Sequence, residues 1–133
     1  RGRIAETTER YSVARALHAV DRSDVVLLVL DARDGVTEQD QRIAGYAHES
    51  GKGMVVVVNK WDLLKKNDRT MQEFAARLKE NLALMTNAQV VYVSALTGQR
   101  VNKIMDYVDS AASEQVKRIS SSRLNEVLNE AIL

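Results

Sequence analysis

The sequence of 133 residues predicts an α/β fold of three layers, helix, sheet and helix, around a parallel sheet. Two apolar runs, residues 25–30 and 54–58, are continuous and rich in valine and leucine. This composition is typical of strands that are buried on both faces of a parallel sheet. A shorter run at 90–93 predicts a third strand. Helical patterns separate the three runs, which predicts two right-handed crossovers.

Amphipathic helices are predicted around the strands because apolar residues recur there at steps of three and four. The predicted helices are residues 8–20, 37–50, 69–85 and 101–116. Thr37 can cap the second of them, and Gly51 can end it. The residues expected on the apolar faces are Tyr11, Ala14, Leu17 and Ala19; Ile43, Ala44 and Ala47; Phe74, Leu78, Leu82 and Met85; and Val101, Ile104, Met105, Val108 and Ala112.

The last residues, 120–133, have a different pattern. Three serines form a polar break, after which Leu124, Val127 and Leu128 predict a new amphipathic helix. We therefore predict one domain over 1–119 and the start of a second over 120–133. A sheet of only three strands would leave the apolar strand at 25–30 with an open edge, so further strands are expected to be missing, and self-association through this edge is predicted.

Composition excludes several classes of function. A net charge of +1 gives no general attraction to nucleic acid or to an anionic membrane. The absence of cysteine excludes disulfides, thiolate catalysis and cysteine-based metal sites. His18 and His48 lie on predicted helices without a partner ligand. No secretory signal is visible, and no apolar run approaches the roughly 18 residues of a membrane span, so a cytoplasmic location without membrane contact is predicted.

Polar residues follow the second and third strands directly. Because ligands of open α/β sheets bind at the carboxyl ends of the strands, both segments are expected at one binding edge. The candidate binding residues are Asn59, Lys60, Trp61, Asp62, Ser94, Ala95 and Leu96. For Trp61 two roles stay open, packing beside the site and contact with the ligand. No catalytic residue and no metal ligand is predicted.

These groups suit guanine. An ionised Asp62 can accept hydrogen bonds from the N1–H and N2–H₂ groups of guanine, a donor pair that adenine lacks. The backbone N–H of Ala95 can donate to guanine O6. The methylene stem of Lys60 can cover one face of the base. Asn59 can bond N7 and the neighbouring loop, and the hydroxyl of Ser94 can hold Asp62 or the loop in place.

The chain resembles the GTPases of the translation-factor class. Asn-Lys-Trp-Asp at 59–62 is similar to their guanine-specificity motif, and Ser-Ala-Leu at 94–96 to the motif that contacts the base oxygen. With the segments 31–40 and 122–128, the resemblance is to the second GTPase domain of the EngA (Der) family and covers essentially the whole chain. It implies binding of GTP or GDP in a P-loop GTPase fold, assembly of the large ribosomal subunit with contact to ribosomal RNA, and a KH-like domain after residue 120.

The sequence also departs from this family. The phosphate-binding loop GxxxxGK[ST], the threonine that binds Mg²⁺ and the DxxG segment are absent, so the N-terminal phosphate-binding half of the domain is expected to be missing. Mg²⁺ is expected for a complete domain, but its ligands are not in this chain. We expect this chain alone not to hydrolyse GTP.

Other motifs favour ordinary structural roles. The segment 49–53 has the wrong spacing for a phosphate loop, and Asp31, Asp34 and Asp40 fit helix capping and turns better than a cation site. The basic residues Lys65, Lys66, Arg69 and Arg77 form a solvated face or contact ribosomal RNA. The alternative function is therefore a non-catalytic α/β fragment that binds RNA or a protein partner.

Overall fold

The computed structural model describes residues 2–67, 69–82 and 88–132. Helices and strands alternate along these ranges. The elements are α1 (Gly2–Asp21), β1 (Val25–Asp31), α2 (Glu38–Glu49), β2 (Gly53–Asn59), α3 (Thr70–Asn81), β3 (Gln89–Tyr92) and α4 (Ile104–Ile132). Short 3₁₀ turns at Trp61–Leu63 and Val101–Lys103 follow β2 and precede α4. The predicted α/β order is confirmed. The predicted packing residue Met85 lies outside the described residues.

The sheet has three parallel strands in the order β1-β2-β3. In β1 and β2, Val25 pairs with Gly53 at one end and Asp31 pairs with Asn59 at the other. Every residue from 54 to 58 in the central strand is buried, because helices cover both faces there. The register therefore brings the carboxyl ends of the strands to one edge, which we call the rim.

Separate apolar clusters fill the two faces of the sheet. One face packs against α1, α2 and α3, through Val20, Leu28, Leu30, Ala44, Ala47, Val56, Val58, Phe74, Leu78 and Leu82. The other packs against α4, through Val55, Val57, Val91 and Val93 with Ile104, Tyr107, Val108 and Ala111. The predicted apolar faces of α2 and α3 are thus confirmed in the described residues.

The ends of α2 are fixed as the sequence predicts. The Thr37 hydroxyl accepts a hydrogen bond from the N–H of Asp40 at 3.2 Å, and the Asp40 carboxylate accepts one from the N–H of Thr37 at 2.9 Å. This reciprocal pair is a capping box. At the other end Gly51 has φ +70°, a left-handed conformation that suits glycine after a helix.

Helix α4 packs closely on β2 over its first part only. A Cβ atom at Gly53 would lie 3.2 Å from the carbonyl oxygen of Ala111, so glycine permits this close approach. One turn later, the Gln115 side chain donates to the carbonyl oxygen of Gly51 at 3.0 Å. Every residue from 116 to 132 is exposed, so the remainder of α4 extends beyond the sheet.

Some predictions of helical packing are wrong. No break occurs at Ser120, because α4 continues unbroken across the three serines. Serine has only a modest helix penalty and no glycine or proline enforces an end there. Val101, Met105 and Tyr11 were expected on packed faces but are 39%, 61% and 67% exposed. The predicted Ile104 does pack against the sheet, and Tyr107 packs beside it.

The outer edge of β1 pairs with no strand in the described part of the chain. Leu27 and Val29, which point to the α4 side of the sheet, are 42% and 58% exposed. The open edge that the sequence predicted is therefore accompanied by exposed apolar side chains. Among the described residues no helix is both long enough and apolar enough to cross a membrane.

Candidate functional site

Backbone hydrogen bonds join the segments that meet at the rim. The N–H of Trp61 donates to the carbonyl oxygen of Val93 at 3.1 Å, and the N–H of Ala32 donates to that of Asn59 at 2.9 Å. The loops after β1, β2 and β3 are thus joined to one another. The rim is a connected frame on which the candidate residues lie.

Asn59 connects the two sequence motifs. Its side-chain oxygen Oδ1 accepts a hydrogen bond from the backbone N–H of Ala95 at 3.0 Å. The predicted role of Asn59 in holding the neighbouring loop is confirmed. The same bond engages the Ala95 N–H, which the sequence predicts as a donor to a base oxygen.

Ser94 organises the loop after β3. It is fully buried, and its hydroxyl oxygen accepts the N–H of Thr97 at 3.1 Å. Its carbonyl oxygen accepts the N–H of Gly98 at 2.8 Å, and its own N–H donates to the carbonyl oxygen of Gln99 at 3.2 Å. Of the two predicted roles of its hydroxyl, the structure shows the one in the loop. Leu96, on the same loop, is 86% exposed.

Lys60 turns the chain at the end of β2. Its backbone is left-handed, with φ 62°, and its ammonium donates to Oδ2 of Asp31 at 2.8 Å. The guanidinium of Arg33 also donates to Oδ2 of Asp31, at 3.0 Å. Hydrogen bonds from Arg33 and Lys60 hold the pKa of the Asp31 carboxyl well below its usual range. From the sequence only a capping or turn role was predicted for Asp31; the pair with Lys60 depends on the strand register that places Asp31 beside Asn59.

Asp62 lies in the 3₁₀ turn directly after Lys60 and is half-buried. Within the described ranges no side chain pairs with its carboxylate, and both oxygens keep their acceptor capacity. A carboxylate with unused acceptors beside a fixed backbone frame is suited to a ligand with two adjacent donors.

Trp61 packs in the core. It is only 2% exposed, and its ring lies 5.6 Å from that of Phe74 and 4.6 Å from that of Tyr92, between centroids. Lys66 lies over its ring at 5.7 Å. Of the two roles left open by the sequence, packing is the one that the structure shows. Burial raises the pKa of Tyr92 in this cluster.

A cleft of about 460 Å³ lies between the loop after β1 and α3. Phe74 and Leu78 line it, and its charged lining residues are the basic Arg33, Lys65 and Arg77 and the acidic Asp34 and Glu73. The basic residues predicted as a cluster are thus partly brought together. Within the described residues no group of three or more acidic, histidine or cysteine side chains is placed to hold a metal ion. Asp40 has the predicted capping role instead.

Solved structures share this fold. A probable GTP-binding protein engB superposes with a TM-score of 0.64 at 19% identity, over 86% of this chain and 70% of that one. An Era structure in complex with MgGDPNP and a segment of 16S ribosomal RNA superposes with a TM-score of 0.58 at 22% identity, over 69% of this chain and 30% of that one. These likenesses show that the fold is that of P-loop GTPases.

Closer sequence relatives are GTPases named Der. The protein from Alkaliphilus oremlandii is 53% identical over 133 residues, all of this chain, and that from Heliobacterium modesticaldum is 56% identical over 128 residues, or 96% of it. The chain spans about 30% of the length of these relatives. The family model described as the elongation factor Tu GTP binding domain matches residues 11–114. By this match the chain belongs to the family of the elongation factor Tu GTP-binding domain.

Proposed function

We propose that this chain is the guanine-recognising part of a GTPase of the Der type. The observation that carries the proposal is the hydrogen bond from the Ala95 N–H to Asn59, which joins the two motifs at one rim. The carboxylate of Asp62, which pairs with no side chain among the described residues, lies on the same rim, one turn after Asn59. Family membership and the relatives named Der support a guanine nucleotide as the ligand.

In the proposed complex Asp62 accepts from N1–H and N2–H₂ of guanine, and the Ala95 N–H is shared between Asn59 Oδ1 and guanine O6. A base with an amino group in place of O6, such as adenine, would leave buried polar groups without partners. Each unpaired group would cost about 1–3 kcal/mol of binding free energy. The stem of Lys60 lies along the base, Asn59 and Ser94 keep the loops in place, and Leu96 borders the site. Trp61 supports the site by packing in the core against Phe74 and Tyr92.

The role of the whole polypeptide is inferred from the same relatives. We propose that the polypeptide to which this recognition belongs hydrolyses GTP with Mg²⁺, acts in the cytoplasm and assists assembly of the large ribosomal subunit through contact with ribosomal RNA. The bacterial origin of the relatives supports this proposal. The Era structure carries a segment of 16S ribosomal RNA and supports only the contact with ribosomal RNA. A domain boundary near residue 120, with a KH-like domain following, stays a prediction. Position within the second GTPase domain is part of this proposal.

The test is a calorimetric titration of the intact polypeptide with GDP and with ADP. GDP is expected to bind at least about tenfold more tightly, because the wrong base leaves unpaired groups. Asp62→Ala is expected to remove this preference, while the same change at Asp109, exposed on α4, keeps it. Equal affinity for both nucleotides in the unsubstituted protein would reject the proposal.

A substitution that changes the preferred base provides a second test. Asp62→Asn replaces one acceptor by an amide donor, so the favoured partner becomes a base with one donor and one acceptor at the same positions. Xanthine has this pattern. Xanthosine diphosphate is therefore expected to bind the Asp62→Asn variant more tightly than GDP does, and a variant that still prefers GDP would contradict the role of Asp62.

The second candidate is an interaction module for RNA or protein. The observation that favours it is the set of cations around the cleft, since Lys65 and Arg77 form no ion pair with any described residue. The open edge of β1 provides a possible surface for self-association. RNA binding without a preference for GDP over ADP, lost in a Lys65→Ala and Arg77→Ala double variant, would favour this function over the first.

A further inference from the structure

Asp31 is placed beside the candidate base site by the register of the sheet. It is the last residue of β1 and pairs with Asn59, the first residue of the motif that follows β2. Its carboxylate therefore lies next to Lys60 in space, although 29 positions separate them in the chain. Because the two strands are parallel neighbours in the sheet, this proximity is fixed by backbone pairing.

Two side chains hold the Asp31 carboxylate in one orientation. Oδ1 accepts the backbone N–H of Arg33 at 2.9 Å and its Nε at 3.3 Å. Oδ2 accepts Nη2 of Arg33 at 3.0 Å and the ammonium of Lys60 at 2.8 Å. The fork of Arg33 thus fixes the plane of the carboxylate, and the carboxylate in turn gives the Lys60 ammonium a fixed partner.

The backbone and the exposure of Lys60 agree with this arrangement. Lys60 holds a left-handed conformation, which is uncommon for residues other than glycine and indicates a constraint from the surroundings. Its side chain is 45% exposed, whereas that of Asp31 is 20% exposed. The lysine therefore has an anchored end and a stem that is still accessible to a ligand. Arg33 and Lys60 also keep the pKa of Asp31 low, so the anchor stays charged.

We propose that Asp31 is a positioning residue for guanine recognition, which holds the ammonium of Lys60 so that the lysine stem is preset along one face of the base. This inference rests on the proposed function. Asp31 itself does not touch the base. Its contribution is to order a long, flexible side chain before the ligand arrives, which lowers the entropy lost on binding.

The first experiment is GDP titration of the Asp31→Asn variant in the intact polypeptide. Loss of the charged partner is expected to weaken GDP binding by about three- to tenfold, as for a partly exposed charged hydrogen bond. The control is Asp34→Asn, an exposed carboxylate three positions away that makes no bond to Lys60. Its affinity for GDP is expected to stay unchanged. Thermal unfolding is recorded for each variant.

A second set of variants, made in a protein that lacks the Lys60 ammonium, separates a positioning role of Asp31 from structural support. In Lys60→Met, which keeps an apolar stem without the ammonium, Asp31→Asn is expected to cause no further loss, because Asp31 acts through the ammonium. A general collapse of the rim would reduce the affinity by the same factor in both backgrounds. That result would overturn the proposal.

Failure of this inference can be told apart from failure of the function. A wild-type protein with no preference for GDP over ADP rejects the guanine site itself, and the inference with it. A clear preference for GDP, together with a GDP affinity that Asp31→Asn leaves unchanged, rejects only the positioning role. If Asp31→Asn does not fold, Asp31→Glu moves the charge by one methylene and is expected to weaken GDP binding measurably; an unchanged Kd would again reject the role.

Discussion

The two faces of the sheet differ in how far they are covered, although the same strands form both. On one face, Leu28 and Leu30 of β1 are 5% and 2% exposed, whereas on the other Leu27 and Val29 are 42% and 58% exposed. Helix α4 lies over β2 and β3 and reaches β1 only near Val25. Within one apolar run, alternate residues therefore lie in the core and at the surface. Apolar composition alone does not establish burial.

The largest effect on stability is expected from a substitution on the covered face. Leu28→Ala removes a buried side chain and leaves a cavity, so the free energy of unfolding is expected to fall by about 2–4 kcal/mol. Leu27→Ala is the matched control, with the same chemistry one position away, and is expected to cost less than about 1 kcal/mol. Urea unfolding followed by circular dichroism measures both. Equal losses would show that the two faces are covered alike.

A smaller effect on stability is expected at α2, one of the helices that cover this face. Thr37→Ala removes the hydroxyl half of the capping box and is expected to lower the free energy of unfolding by about 1 kcal/mol. Ser113→Ala, at an exposed position within α4, is the control and is expected to change it by less than about 0.5 kcal/mol. The measurement is the same urea titration. A Thr37→Ala variant as stable as its parent would mean that the cap contributes nothing to this face.

The smallest effect on stability concerns the open face. Leu27→Lys with Val29→Lys places charge on already exposed positions, so unfolding is expected to change by less than about 1 kcal/mol. Charge beside an open edge opposes pairing with another chain. Sedimentation of the chain of 133 residues is expected to show association that this double variant reduces. A parent chain that stays monomeric at every concentration would remove the proposal of self-association.

Local patterns predicted much of the fold and part of the site. The buried strand at 54–58 and the cap at Thr37 follow from a few neighbouring residues, and both are confirmed. The exposure of Val29 and the anchoring of Lys60 by Asp31 depend on which strands lie side by side, and a single sequence does not specify that. The predicted break at Ser120 failed because a polar run that can end a helix can also continue one.

The left-handed residues of the rim have a consequence for protein engineering. Lys60 and Arg100 hold φ values of 62° and 57°, where glycine would relieve about 1 kcal/mol of backbone strain. Each side chain is tied down, Lys60 to Asp31 and Arg100 to the carbonyl oxygen of Tyr92 at 3.2 Å. Glycine at either position would relieve this strain but would lose the bond that its side chain makes. Engineering that removes strain at these positions would therefore also lower the order of the rim.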